Sequence, residues 1–378
     1  MNFEKLRAFL ETFPARGIPQ AELTVLKDGK EVFHETVQDG GAAGGRPGKP
    51  GDLYFLYSCT KPVTCAAAMR LVEEGKIRLS DPVSRYIPAF AHVKVRDRRT
   101  GALRAPETPV TILHLFTMTA GMQYDLDAGP LLPFREDKTA DTFKVVSAMA
   151  DIPLSFDPGT HYQYSLCHDV LAAVVEVAGG RKYSDYLKEK LFDPLEMTDI
   201  GFRPDEKQRE KLATLYTYHD EKGTATVRSQ VNEYNDLSPI YESGGAGLFA
   251  GADAYNKFAA MLAGDGKGAN GYRFLKPETV RRMQEDRLSD SARLDFVSRR
   301  FYGYGFGLCC RVHTHPFLSF SKSPVGEFGW DSAANAFSMF DPQNRVAAVY
   351  LTHVRSCSYG YYFLHPRLRN LIYEGLEG

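Results

Sequence analysis

The chain has 378 residues, of which 43% are hydrophobic and 25% charged, and a net charge of −1. That length and apolar content suffice for one large core or two adjoining ones. The balanced charge gives no reason to expect nucleic acid or an anionic membrane as partner.

In chain order, Met1 to Arg7 alternates charged and apolar residues, which reads as an amphipathic helix and not as a signal peptide. No run approaches the about 18 apolar residues of a membrane span. The reading is therefore a cytoplasmic protein with no membrane partner. Its six cysteines, without CxxC spacing, fit a reducing compartment. The ten histidines show no paired metal-ligand spacing, and His313-Thr314-His315 reads as an exposed loop pair, so neither metal nor cofactor is expected.

Ala21 to Gln38 alternates around Lys27-Asp28-Gly29-Lys30, the pattern of a β-hairpin. A Gly/Pro/Ala-rich loop over 40–51 leads to Leu53-Tyr54-Phe55-Leu56-Tyr57, a buried strand or strand end. Val63, Ala66, Ala67, Met69, Leu71 and Val72 then recur at helical spacing up to Gly75. Pro62 fits only the first turn of that helix. Ser58 is thus expected at the helix N-terminus, with Lys61 one turn later on the same face. Unpaired N–H groups there favour an alkoxide or oxyanion, and a neighbouring amine is suited to activating the hydroxyl. A second Ser-x-x-Lys, Ser319 to Lys322, has no helix behind it.

Thr111–Phe116 predicts a short helix closed by Ala120-Gly121, and patterns to about residue 285 are mainly helical, clearest at 171–178, 183–190, 254–262 and 277–285. Tyr164 follows a Pro158-Gly159 turn and precedes a helix, a place from which a phenol can reach a cleft and act as general base. Beyond about residue 300 the signal changes to strands: 304–312, 336–340 and 346–352, the last two joined by an Asp341-Pro342-Gln343-Asn344 turn. Trp330, the only tryptophan, stands beside small residues in Gly329-Trp330-Asp331-Ser332-Ala333, and Arg367–Leu376 reads as a closing helix. The economical architecture is α+β: an antiparallel sheet built from both termini, about 1–60 plus 290–378, flanked by helices. A mostly helical subdomain of about 61–289 is inserted into it, within a single domain.

In this order the motifs resemble the serine β-lactamase and penicillin-binding-protein superfamily, closest to class C β-lactamases and the carboxylesterases that share their fold. Phe55 to Lys61 looks like the nucleophile segment, and Leu71 to Val83, Thr111 to Met122 and Gly244 to Leu248 resemble segments that follow it. The resemblance implies that Ser58 is the acyl-accepting nucleophile, Lys61 its activating partner and Tyr164 the general base. It implies an oxyanion hole from the Ser58 N–H and one from the C-terminal strand, assigned to Ala333. Trp330-Asp331-Ser332 then stands where the family has Lys-Thr-Gly and related esterases Trp-Gly-Gly. Another register puts Glu327-Phe328-Gly329 there.

Two departures bear on substrate. Leu166 stands where β-lactamases place the Asn that binds the substrate amide, and neither register supplies the cationic Lys that holds a carboxylate. Asp331 would repel a carboxylate if it pointed into the cleft. With Trp330, Asp331, Ser332 and Leu166 as substrate contacts, the expected partner is a small neutral acyl ester or amide. The leading reading is a serine hydrolase of esterase type. The alternatives are an acyltransferase with Tyr216, Tyr218, Tyr234, Tyr241, Tyr302 and Tyr304 lining an acceptor channel, a weak β-lactamase or D-Ala-D-Ala peptidase, and a non-catalytic binding or sensor protein. Cys59 and Cys167 sit beside the candidate catalytic residues and leave thiol chemistry open.

Overall fold

The alternation between residues 21 and 38 folds as expected: strands Gln20–Lys27 and Lys30–Gln38 pair antiparallel across Asp28-Gly29. Both turn residues have positive φ, 53° and 74°, the geometry a two-residue hairpin requires and Asp-Gly accepts at low cost. The computed structural model, which describes residues 1–298 and 300–378, joins this hairpin to the far end of the chain. Strand Gln20–Lys27 pairs antiparallel with Val346–Thr352, Ala21 opposite Thr352 and Lys27 opposite Val346. Phe337–Asp341, Phe328–Asp331, Arg311–His313 and Tyr304–Phe306 extend the sheet to seven antiparallel strands.

Both faces of the sheet are covered. Val346, Ala348 and Tyr350 pack with Leu6, Leu10, Leu368 and Ile372 of the terminal helices Glu4–Leu10 and His365–Glu377. The alternate residues Ala347, Val349 and Leu351 join the larger core, with Phe258 and Met261 of helix Ala252–Ala263. This period of two, with apolar cover on each side, explains why Val346–Thr352 is almost wholly apolar.

The connecting region carries helices Thr60–Glu73, Ile112–Phe116, Thr142–Met149, Cys167–Gly179, Tyr183–Leu187, Pro277–Met283 and Asp290–Val297. Helix Thr60–Glu73 packs against Cys167–Gly179. Because Ser58 and Tyr164 each lie just before one of these two helices, that packing fixes the distance between them.

The structure corrects four local expectations. The apolar run 304–312 is two strands, folded back where the Gly307 N–H donates to the Cys310 carbonyl at 2.9 Å. Leu53–Phe55 does not join the main sheet; it pairs with Phe249–Gly251, which also pairs with Ile200–Gly201. All three of its residues are buried, so no polar face in the sequence marks which sheet it enters. A further hairpin, Tyr216–His219 with Thr224–Val227, places strand inside the region read as helical, its first strand parallel to Val354–Arg355. Finally, His313 is buried between the Pro324 carbonyl and the Ser319 hydroxyl, not exposed in a loop.

Candidate active site

Leu56 closes the approach to the site by donating its N–H to the Leu248 carbonyl. Tyr57 then adopts a left-handed φ of 44°, a conformation that costs a non-glycine residue about 1–2 kcal/mol. Its ring is fully buried, edge-on to Phe55 and Tyr234 and under the Arg355 guanidinium at 4.7 Å, so packing holds the sharp turn in place. The chain turns through a single 3₁₀ turn, Tyr57–Cys59, into helix Thr60–Glu73. Ser58 therefore stands at the head of a buried helix, 6% exposed, and Lys61 lies one turn on, 1% exposed.

Lys61 Nζ donates to the Gly245 carbonyl at 2.7 Å and to Ser58 Oγ at 3.3 Å. It also sits 4.7 Å from the centroid of the Tyr164 ring, where a cation is attracted to the aromatic face. Tyr164 Oη is 2.5 Å from Ser58 Oγ. The Tyr164 ring is held on both faces, by Tyr124 at 5.3 Å and Trp330 at 5.6 Å. Trp330 Nε1–H donates to Tyr164 Oη at 3.4 Å, and its own outer face is covered by Phe301. The segment before Tyr164 is anchored to the end of the Ile112–Phe116 region, with the Gln163 and Gly159 N–H groups donating to the Met118 and Thr119 carbonyls. The three motifs singled out in the sequence thus meet at one hydroxyl.

Around that hydroxyl opens a cleft of about 520 Å³, walled by Tyr124, Tyr162, Tyr234, Phe301, Trp330 and Tyr361. Asp331, Ser332 and Ala333 line it too, at and just beyond the end of strand Phe328–Asp331. Ser332 Oγ donates to the Leu56 carbonyl at 2.8 Å, tying this edge to the Ser58 turn. The Ala333 N–H has no protein acceptor among the described residues. Glu327, the alternative register, is instead buried in a two-pronged ion pair with Arg311 at 3.0 and 3.1 Å.

Three expectations at the site need correction. Leu166 is buried in the core and is not among the residues lining the cleft, because it caps the helix that begins at Cys167. Asp331 lines the cleft but presents no bare negative charge. Burial alone would raise its carboxyl; Arg369, His365 and Arg300 outweigh that and hold it well below the usual carboxylate range. Of the six tyrosines read as an acceptor channel, Tyr234 lines the cleft; Tyr216 and Tyr218 belong to the terminal-helix core, Tyr241 is buried against Asp169, Tyr302 is exposed away from the cleft lining and Tyr304 packs on His313. Tyr124, Arg300, Phe301, Tyr361 and Tyr362 were not legible as cleft residues, since they arrive from three separate segments, around 124, 300–301 and the helical turn Gly360–Leu364, with no motif around them.

The thiols beside the site are muted. Burial pushes the Cys59 thiol up, and the Cys167 thiol up to about 12. Among the described residues, no group of three or more His, Cys, Asp or Glu is placed to hold a metal ion, and no helix is long and apolar enough to cross a membrane.

An antiparallel sheet covered on both faces, a mainly helical connecting region, and Ser, Lys and Tyr meeting between them define a β-lactamase-like protein. The Beta-lactamase family model matches residues 6–356, and the chain belongs to that family. It is 30% identical to esterase EstB of Burkholderia gladioli over 85% of this chain and 82% of that protein. It is 32% identical to the acyltransferase mokF of Monascus pilosus over 60% of this chain and 55% of that protein. Among solved structures, EstCE1, described as a hydrolase with promiscuous acyltransferase activity, superposes with a TM-score of 0.79 at 22% identity, covering 100% of this chain and 98% of that one. The fold and the family are therefore those expected from the motifs, with both esterase and acyltransferase relatives.

Proposed function

We propose that this chain is a serine hydrolase of esterase type that works through an acyl-enzyme on Ser58. The observation that carries the reading is the convergence on Ser58 Oγ of Tyr164 Oη at 2.5 Å and Lys61 Nζ at 3.3 Å, at the floor of an aromatic cleft. Distances of this kind are those of a nucleophile and its base.

In the proposed reaction Ser58 Oγ attacks the ester carbonyl and passes its proton to Tyr164 Oη. In this step Tyr164 enters as the phenolate and leaves as the neutral phenol, with the Lys61 amine 4.7 Å from its ring centroid and Trp330 Nε1–H 3.4 Å from its oxygen beside the charge that is lost. The carbonyl oxygen becomes an oxyanion between the N–H groups of Ser58, at a helix N-terminus, and Ala333, which has no acceptor among the described residues. Collapse of the tetrahedral species breaks the bond to the leaving alkoxide, which takes the proton from Tyr164. Water then attacks the acyl carbon, gives its proton to Tyr164, and Ser58 regains it as the acid departs. The largely apolar lining and the compensated charge of Asp331 suit uncharged acyl esters.

The test is the intact mass after brief exposure to a fluorophosphonate and to p-nitrophenyl butyrate, with Ser58→Ala as control. An adduct on the wild type alone supports the reading, and its absence from folded wild type removes it. Similarity to mokF supports a second reading, acyl transfer to an alcohol in place of water. Product analysis with added alcohol separates the two, since transfer that outruns hydrolysis at low alcohol concentration assigns the protein to the acyltransferases.

A further inference from the structure

A buried carboxyl group outside the catalytic trio touches the same machinery from behind. Asp169 lies in the first turn of helix Cys167–Gly179 and is fully buried. Its Oδ1 accepts from the Tyr241 hydroxyl at 2.6 Å, from the Ser243 hydroxyl at 2.6 Å and from the Gly245 N–H at 3.4 Å. The turn it holds is docked on the Ser58 helix through two successive carbonyls. Thr64 Oγ1 donates to the Gly244 carbonyl at 2.6 Å, and Lys61 Nζ donates to the Gly245 carbonyl at 2.7 Å.

Asp169 and Lys61 crowd one face of the same residue. A Cβ on Gly245 would stand 2.5 Å from Asp169 Oδ2 and 3.4 Å from Lys61 Nζ, so only glycine lets the carboxyl group and the amine approach the turn together. Asp169 Oδ2 has no hydrogen-bond partner among the described residues although it is buried. Leaving such an oxygen unpaired is costly, and here it lies on the side of the turn where the amine sits. A hydrophobic side chain at this position would avoid that cost.

We propose that Asp169 is a positioning residue for Lys61: it pins the Ser243–Gly245 turn so that the Gly245 carbonyl holds the amine against Ser58. This rests on the reading of Ser58 and Lys61 given above. Asp169 touches neither substrate nor the Ser58 hydroxyl. Its contribution is to fix one of the two acceptors that aim the lysine, with a carboxyl oxygen kept near the amine by two hydroxyl donors.

The experiment compares wild type, Asp169→Asn, the pair Tyr241→Phe and Ser243→Ala, and the combination of all three in hydrolysis of p-nitrophenyl butyrate. Active sites are counted by fluorophosphonate, and folding is checked by circular dichroism and thermal melting. A loosened Lys61 predicts that kcat per titrated site falls about 100-fold in Asp169→Asn, with KM little changed. The Tyr241→Phe/Ser243→Ala variant should lose kcat in the same direction, and its loss should not add to that of Asp169→Asn, because all three act through one turn. A residue that served only stability would lower the melting temperature and leave kcat per site alone. Folded Asp169→Asn with kcat within about twofold of wild type overturns the proposal. If Asp169→Asn does not fold, the hydroxyl variant decides alone by the same criterion. Wild-type hydrolysis matched by Ser58→Ala would instead overturn the reading on which the proposal rests.

Discussion

His353 should make the protein lose stability between pH 8 and pH 5. Its ring is buried behind the Ser58 turn, with Nε2 accepting from the Phe55 N–H at 3.2 Å and Nδ1–H donating to the Ala213 carbonyl at 2.9 Å. A second proton would destroy the acceptor that Phe55 uses, and burial lowers the imidazole to about 4. In the unfolded chain a histidine titrates near 6.5. As the pH falls through 6.5 the unfolded chain therefore takes up a proton that the folded one refuses, and the folded state loses ground until about pH 4. The full gap is worth about 3 kcal/mol, of which about 2 kcal/mol has been lost by pH 5. Urea denaturation of wild type and His353→Gln at pH 8 and pH 5 isolates this effect, because the carboxylates titrate alike in both and cancel. Glutamine keeps a donor and an acceptor but no titration, so its deficit against wild type should shrink by about 2 kcal/mol at the lower pH. The same difference between the two proteins at both pH values would mean that His353 takes up its proton equally in the folded and unfolded chains.

Tyr164→Phe keeps the stack between Tyr124 and Trp330 but removes the oxygen 2.5 Å from Ser58. Its kcat should fall by about 10² to 10⁴ with KM within a few-fold, and steady-state hydrolysis at wild-type rate would exclude the phenol as base. Glu327→Ala leaves the Arg311 guanidinium, 1% exposed, without its partner. It should cost about 3–5 kcal/mol in urea denaturation, and a loss below about 1 kcal/mol would mean that the pair is not the buried contact described. Iodoacetamide should leave Cys59 and Cys167 unmodified in the native protein and label both after unfolding, because burial raises both thiols and excludes the reagent. Fast native labelling at either site, read by peptide mass, would contradict that burial.

What the sequence determined by itself is what short-range geometry controls. Asp28-Gly29 can place its two positive φ angles at the tip of a hairpin whatever surrounds it. A helix starting after Ser58 puts Lys61 one turn from it by its pitch alone. The order of the motifs likewise carried the family, because each depends on a few neighbouring residues. The choice of sheet for Leu53–Phe55 was not legible, since three buried residues present no alternation to orient them. Nor was the break in 304–312, where apolar residues continue through the turn. That Tyr164 reaches Ser58, 106 residues away in sequence, came from the packing of the two helices that follow them. The same holds for the charge at Asp331, whose neutralising arginines lie 31 and 38 residues away. It holds for Asp169, whose partners are hydroxyls 72 and 74 residues downstream. Each side chain's chemistry is written locally, but whether it works depends on which groups the fold brings within about 3 Å of it.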